Sequence, residues 1–261
     1  MICLINVLLF SCIPFVLSAA EPLFIKSAED AVSSPHDNLR IGVPFFTDYV
    51  ADRPWFCIGF SRRHRQPLWV QYRLTAADVL NKNTARARQF RADPSIPESA
   101  SPKDYTRTGF DRGHMAPAGD MRRSPEAMKD SFLMSNISPQ HPDCNRKLWK
   151  ELEELTRQWA VREKEIYVIC GPLYFQNGVS IGQGTIPVPA AYFRIVCDMT
   201  PPRKMIAFIV PNKPCSKSLR SLAVSVDLIE SLTGYDFFSR FPDDVQKLLQ
   251  EESRFRDWFD N

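Results

Sequence analysis

Three β-rich runs, "EIYVICGPLYF" (165–175), "AYFRIVCDM" (191–199) and "KMIAFIVP" (204–211), succeed one another without alternating with helices in a βαβ rhythm. That order argues against a doubly wound parallel sheet and predicts an α+β fold with a central, mainly antiparallel β-sheet flanked by helices. Two earlier runs, "WFCIGF" (55–60) and "LWVQYRLT" (68–75), read as strands joined by the basic turn "SRRHRQP". Leu148, Leu152, Leu155 and Trp159 recur at helical spacing among charged residues and predict an amphipathic helix over about 145–163. A second helix is expected over 216–233, stopping at Gly234, and a third from "PDD" (242–244) towards the C-terminus. No internal repeat is visible. The expected organisation is a leader over 1–20, an arm or loop over 21–50 and one domain over 51–261, long enough for a single large core.

Residues 2–20 carry no charge and end in "VLSAA" before Glu21, as a cleaved export signal would. The run lacks the usual basic start, so an uncleaved anchor through 2–20 is the alternative, its length lying near the ~18-residue lower bound for spanning. The expectation is a secreted or periplasmic protein, with no stable membrane association if the leader is cleaved. Outside the leader stand Cys57, Cys144, Cys170, Cys197 and Cys215, with no C-x-x-C pair, which removes support for a zinc ribbon or a thioredoxin-like site. Export would permit one or two disulfides.

A net charge of +3 conceals an asymmetry: residues 53–123 hold 14 Lys and Arg against 6 Asp and Glu, while the remainder is net acidic. A basic face suits a polyanion, although a solvated basic surface has the same composition. Within this region, 83–108 contains Pro94, Pro97 and Pro102 and reads as a long irregular connection of the kind that is usually functional or disordered. "GVSIG" (178–182) matches a nucleophile-elbow pattern, but "QGTIPVP" follows it and all four histidines precede Ser180, so a glycine-rich turn is the better reading. His36, His64 and His141 sit in polar or proline-flanked contexts and read as inert. No zinc-protease, P-loop or dinucleotide-binding motif is present.

"TGFDRGHMAPAGDM" (108–121) is different, because it crowds Asp111, Arg112 and Gly113 against His114. Gly113 permits either an unusual backbone conformation or the close approach of a ligand. Downstream, Asn145 and Glu153 lie eight residues apart near the start of the amphipathic helix, a net rotation of ~80° and a separation of ~12 Å along the axis. They face one site without both touching one ion. Individually, Asn145 also reads as a helix cap and Glu153 as a solvated helix residue.

Taken in order, DRGH, "FLMSNISPQ" (132–140), Asn145 with Trp149 and "LE" at 152–153, "GPLY" (171–174), "IPVPAAYF" (186–193) and "FPDDVQ" (241–246) resemble the DNA/RNA non-specific endonuclease family of ββα-metal nucleases. That family includes secreted bacterial nucleases and mitochondrial endonuclease G, and the resemblance covers about 55–250. It implies a ββα-metal (His-Me finger) active site and Mg²⁺-dependent hydrolysis of DNA and RNA with 5′-phosphate products, other ions such as Mn²⁺ being alternatives. It assigns His114 as general base, Asn145 as direct metal ligand and Glu153 as acting through water. Arg88 takes the place of the catalytic arginine, with Arg86 or Arg91 as close alternatives. Arg112 joins it, and Asn136, Arg157 and Asp111 serve substrate contact or support. A homodimer is a further expectation. One departure concerns a disulfide found in some secreted members, since Arg220 stands near one cysteine position and the tail "WFDN" has none. Two other functions remain open at this point: a catalytically weak nucleic-acid binder on the same fold, and a phosphodiesterase for another ester.

Overall fold

The computed structural model describes residues 21–175, 178–251 and 255–259. In chain order the strands are β1 (Leu23–Phe24), β2 (Tyr49–Asp52), β3 (Cys57–Ser61), β4 (Gln66–Thr75), β5 (Asp111–His114), β6 (Ile137–Gln140), β7 (Glu165–Leu173), β8 (Ser180–Ile181), β9 (Ile186–Pro187), β10 (Ala191–Asp198), β11 (Lys204–Pro211) and β12 (Ala223–Val224). The α-helices are α1 (Ala28–Ser33), α2 (Ala76–Leu80), α3 (Pro125–Ser131), α4 (Trp149–Glu163), α5 (Val226–Thr233), α6 (Asp243–Gln250) and α7 (Arg256–Phe259). Eight strands form one sheet in the order β1-β2-β3-β4-β7-β10-β11-β12, antiparallel at every pairing. The β5–β6 and β8–β9 pairs are separate ladders. The α+β fold with an antiparallel sheet agrees with the unbroken succession of strand runs.

Period two decides the layering. Along β7, Ile166, Val168 and Cys170 enter one apolar cluster, while Tyr167 and Ile169 enter the other. A strand covered on both faces needs apolar residues at successive positions, which is why β7 and β10 read as continuous apolar runs. On one face α4 contributes Trp149, Leu152, Trp159 and Ala160 to the cluster holding Tyr72, Val168 and Phe208. On the other, Leu39, Ile41, Val226, Ile229 and Leu249 share a cluster with Trp69, Ile169 and Phe193. Each fully buried side chain of this size contributes ~1.5–3 kcal/mol, so neither face is dispensable.

Several expectations change. The 21–50 segment is no simple arm, because β1 and β2 extend the sheet and Asn38 is buried, donating to Asp52 Oδ1 (2.9 Å) and Arg53 O (2.7 Å). Strands this short leave little periodicity to read. The second helix covers only Val226–Thr233: Ser225 caps it by accepting from Leu228 N (3.2 Å), and the preceding Ala223–Val224 pairs with β11. It ends, as expected, at Gly234, whose φ of 72° closes the last turn. The third helix stops at Gln250. The first, expected over about 145–163, begins with a π turn, Cys144–Leu148, before α4. Cys57, Cys144, Cys170, Cys197 and Cys215 are free thiols. The leader lies outside the described residues, and among those described no helix is long and apolar enough to cross a membrane.

The basic connection over 83–108 is pinned rather than loose. Asp93 is buried and receives both Arg53 Nη2 contacts (3.0 and 2.8 Å) and the Ser135 hydroxyl (2.5 Å). Arg91 N donates to Phe132 O (3.0 Å) and Met134 N to Arg91 O (2.8 Å). Breaking a buried ion pair of this kind from one side costs about 3–5 kcal/mol. The loop is therefore held against the segment that precedes β6.

Candidate active site

The motif 111–114 forms β5, paired with β6 so that Asp111 opposes Gln140 and His114 opposes Ile137. The chain then passes through the π turn into α4, giving two strands and a helix around one point. Ser138 fastens the ladder to the main sheet by donating to Gln66 Oε1 (2.6 Å), and the Tyr192 hydroxyl donates to Pro139 O (2.8 Å). Gly113 has no left-handed backbone and admits no ligand at its missing side chain. A Cβ there would lie 2.2 Å from Gln140 Oε1, so the glycine makes room for that amide.

A cleft of about 450 Å³ is walled by Arg86, His114, Asn145, Glu153 and Arg157, together with Gly119 and charged residues of the helix. His114 is buried between Phe90 (ring centroids 5.3 Å apart) and Phe132 (4.7 Å, edge-on). Its Nε2 has no hydrogen-bond partner among the described residues. Burial, reinforced by the positive Arg86, pushes the His114 imidazole down to about 3, so the ring is neutral across the physiological range.

Asn145 is oriented by Asp111. Its Nδ2 donates to Asp111 Oδ2 (2.9 Å), and Arg146 adds Nε (2.8 Å) and Nη2 (2.7 Å) contacts to the same carboxylate. Burial opposes the Asp111 charge, but the Arg146 and Asn145 hydrogen bonds outweigh it and hold the carboxyl below its usual range. Because an ionised carboxylate only accepts, the Asn145 amide nitrogen must face it, which frees the carbonyl oxygen. Glu153 lies one helical face along; burial, partly offset by Arg194, pushes it up to about 7.

Arg157 donates from Nη1 to Asp120 Oδ1 (2.8 Å), and the Tyr72 hydroxyl donates to Asp120 Oδ2 (2.7 Å). Behind them Arg194 is fully buried over the Trp149 ring at 4.7 Å, with Nη1 3.5 Å from the Tyr72 hydroxyl. Asp120, Tyr72 and Arg194 escaped the sequence reading, although an arginine in the middle of the apolar run "AYFRIVCDM" was a visible signal.

Two expected arginines lie elsewhere. Arg88 is not among the cleft walls; Arg86 is, with its guanidinium 5.4 Å from the Phe132 ring centroid. Arg112 also lies outside the wall, packed over Phe90 at 5.6 Å and donating to Pro102 O (2.6 Å), which ties the basic loop to β5. In an irregular segment no period specifies which arginine reaches the cleft, and the one that does packs its guanidinium on the Phe132 ring. Asn136 is wholly buried: it accepts from Ala116 N (2.9 Å) and donates to Ala116 O and Ser131 O (both 2.9 Å). It braces the backbone after His114.

The profile of the DNA/RNA non-specific endonuclease family matches residues 34–244. The chain belongs to that family. The match begins at residue 34, inside the segment expected to be an arm. This endonuclease is 32% identical over 222 residues to a nuclease of Nostoc sp., covering 78% of each chain. It is also 32% identical to the zebrafish (Danio rerio) mitochondrial nuclease EXOG over 224 residues, 76% of this chain and 63% of that one. Its fold is similar to EndoG, solved in complex with EndoGI, with a TM-score of 0.68 at 26% identity over 83% of this chain and 94% of that one. The endonuclease is thus a hydrolytic enzyme, and the cleft beside His114 is its candidate active site.

Proposed function

We propose that this endonuclease hydrolyses phosphodiester bonds of both DNA and RNA without sequence preference, in a Mg²⁺-dependent reaction leaving 5′-phosphates, at a His-Me finger centred on His114. The observation that carries the reading is that one cleft gathers an unpartnered imidazole Nε2, a freed amide oxygen, a carboxyl shifted by burial and an exposed arginine on the wall.

The residues fit a hydrated divalent ion. Among the described residues no group of three His, Cys, Asp or Glu could hold a metal, so a dedicated cage is absent there. One neutral oxygen from Asn145, with Glu153 acting through an intervening water, suits Mg²⁺, which keeps most of its hydration shell. When bound, the ion would supply positive charge to the pentacovalent phosphorane and the leaving 3′ oxygen.

The protein's own groups supply the rest. His114 Nε2 takes a proton from the attacking water, and the phosphate beside it raises the proton affinity that Arg86 and burial depress. Arg86, freely exposed at the cleft wall, neutralises charge developing on the phosphate oxygens. Arg157, oriented by buried Asp120, holds a phosphate in register. Asp111 keeps the Asn145 carbonyl aimed inward.

Plasmid DNA and RNA are each incubated with the purified endonuclease, in Mg²⁺ and in EDTA. Degradation of both with Mg²⁺, abolished by EDTA and weakened about 10²-fold or more by Asn145→Ala, is expected. Full digestion in EDTA would overturn the metal assignment. The uncharged run over 2–20 supports delivery across a membrane, the secreted destination being proposed beside the mitochondrial one named for the zebrafish relative. Fractionation of the tagged full chain decides between them.

A further inference from the structure

The cleft does not end at Arg157. Gly119, Glu154 and Arg157 also wall a second cavity of about 670 Å³, which runs along the side of α4 towards the end of α2. Its character differs from that of the reaction cleft. Leu80, the last residue of α2, stands 67% exposed on its wall with Val161 of α4, and Lys82 and Arg122 form the rim. Arg122 donates to Thr84 O (3.1 Å) and Lys82 O (3.3 Å), so the rim is tied into one unit that leads directly to Arg86. Glu154 is the single carboxylate in the wall, and Lys150 stands 3.6 Å from it.

An apolar wall beneath a cationic rim, continuous with a phosphate-cleaving site, matches one nucleotide: a base face for the apolar surface and a phosphate for the cations. We propose that this second cavity binds an unpaired nucleotide of the substrate flanking the scissile phosphate, with its base against Leu80 and Val161 and its phosphate at Lys82 and Arg122. A base stacked within a duplex cannot turn into such a pocket, so the subsite favours single-stranded or frayed nucleic acid. This rests on the nuclease reading of the adjoining cleft.

The test uses the whole endonuclease and single-stranded oligonucleotides in which one linkage is an ordinary phosphodiester and the others are cleavage-resistant phosphorothioates, with one abasic spacer moved through the positions flanking that linkage. At one position the spacer is expected to raise KM about tenfold with kcat unchanged. Leu80→Gln should raise KM on the intact oligonucleotide and respond to the same spacer by only about twofold. Lys82→Gln should lower the slope of log affinity against log salt by about 0.7, as loss of one phosphate contact on a single strand does. Both positions are exposed, and unchanged melting curves separate lost contacts from lost folding. A scan that is flat at every position while the wild type still cleaves, or a Leu80→Gln protein with the full spacer penalty, overturns the subsite. Failure of the nuclease reading looks different, since then the wild type cleaves no oligonucleotide at all. A cavity that serves an apolar peptide instead would give the flat scan.

Discussion

Two short hairpins stand outside the main sheet, and both carry a glycine-bearing motif that looks catalytic in the sequence. The β5–β6 ladder contains DRGH, and the β8–β9 ladder contains the end of "GVSIG". They differ in what lies behind them. The first is buried, tied to the sheet through Ser138 and Tyr192, and followed by α4. The second leaves Ser180 in solvent and turns through Gly182 and Gly184, whose φ values of 57° and 83° serve a tight reversal. A reactive side chain needs supports that hold it in place and strip it of water; a motif without them is a turn.

The largest break in the comparison comes from the histidine. His114→Ala is expected to lower plasmid and RNA hydrolysis by about 10²–10⁴-fold, the range for a general base, with an unaltered circular dichroism spectrum. A variant digesting at the normal rate would remove β5–β6 from the chemistry.

Next in size is Glu153, whose carboxyl is pushed up to about 7 by burial. A group raised in this way stays protonated and neutral below that value, so activity requiring its charge rises as pH passes upward through about 7. A cation favours the charged form, and the midpoint should therefore fall as Mg²⁺ is increased. Glu153→Gln should lower the rate and abolish this rise. An identical pH profile in the two proteins would show that another group sets it.

Gly113→Ala tests the packing of the first hairpin. Its new methyl meets the Gln140 side chain, and a loss of about 1–3 kcal/mol in urea unfolding is expected, with Gln140→Ala restoring part of it. The smallest effect belongs to the second hairpin: Ser180→Ala should leave hydrolysis within about twofold and stability within about 0.5 kcal/mol. A large loss of activity there would reverse the contrast between the hairpins.

Much of this was legible in the residues. Strand runs that follow one another without intervening helices announced the antiparallel sheet, because parallel neighbours need a long crossover connection, while their continuous apolar character announced burial on both faces. His114, Asn145 and Glu153 were legible through order and spacing, and all three reach one cleft. Which of Arg86, Arg88 and Arg91 lines the cleft was not, since an irregular loop has no period and the guanidinium of Arg86 packs on a ring 46 positions later, at Phe132. Nor was the real duty of Gly113, which is decided by a residue on the neighbouring strand.

Local periodicity and residue types at set intervals were enough to read the sheet, the helix that carries Glu153, the family and the candidate site residues. Packing in three dimensions set the orientation of the Asn145 amide, which arginine lines the cleft, the burial that shifts His114 and Glu153 in opposite directions, and the second cavity beside Leu80. Each of those depends on contacts between segments far apart in the chain, where water has been excluded and a neighbour, rather than the residue's own type, sets the chemistry.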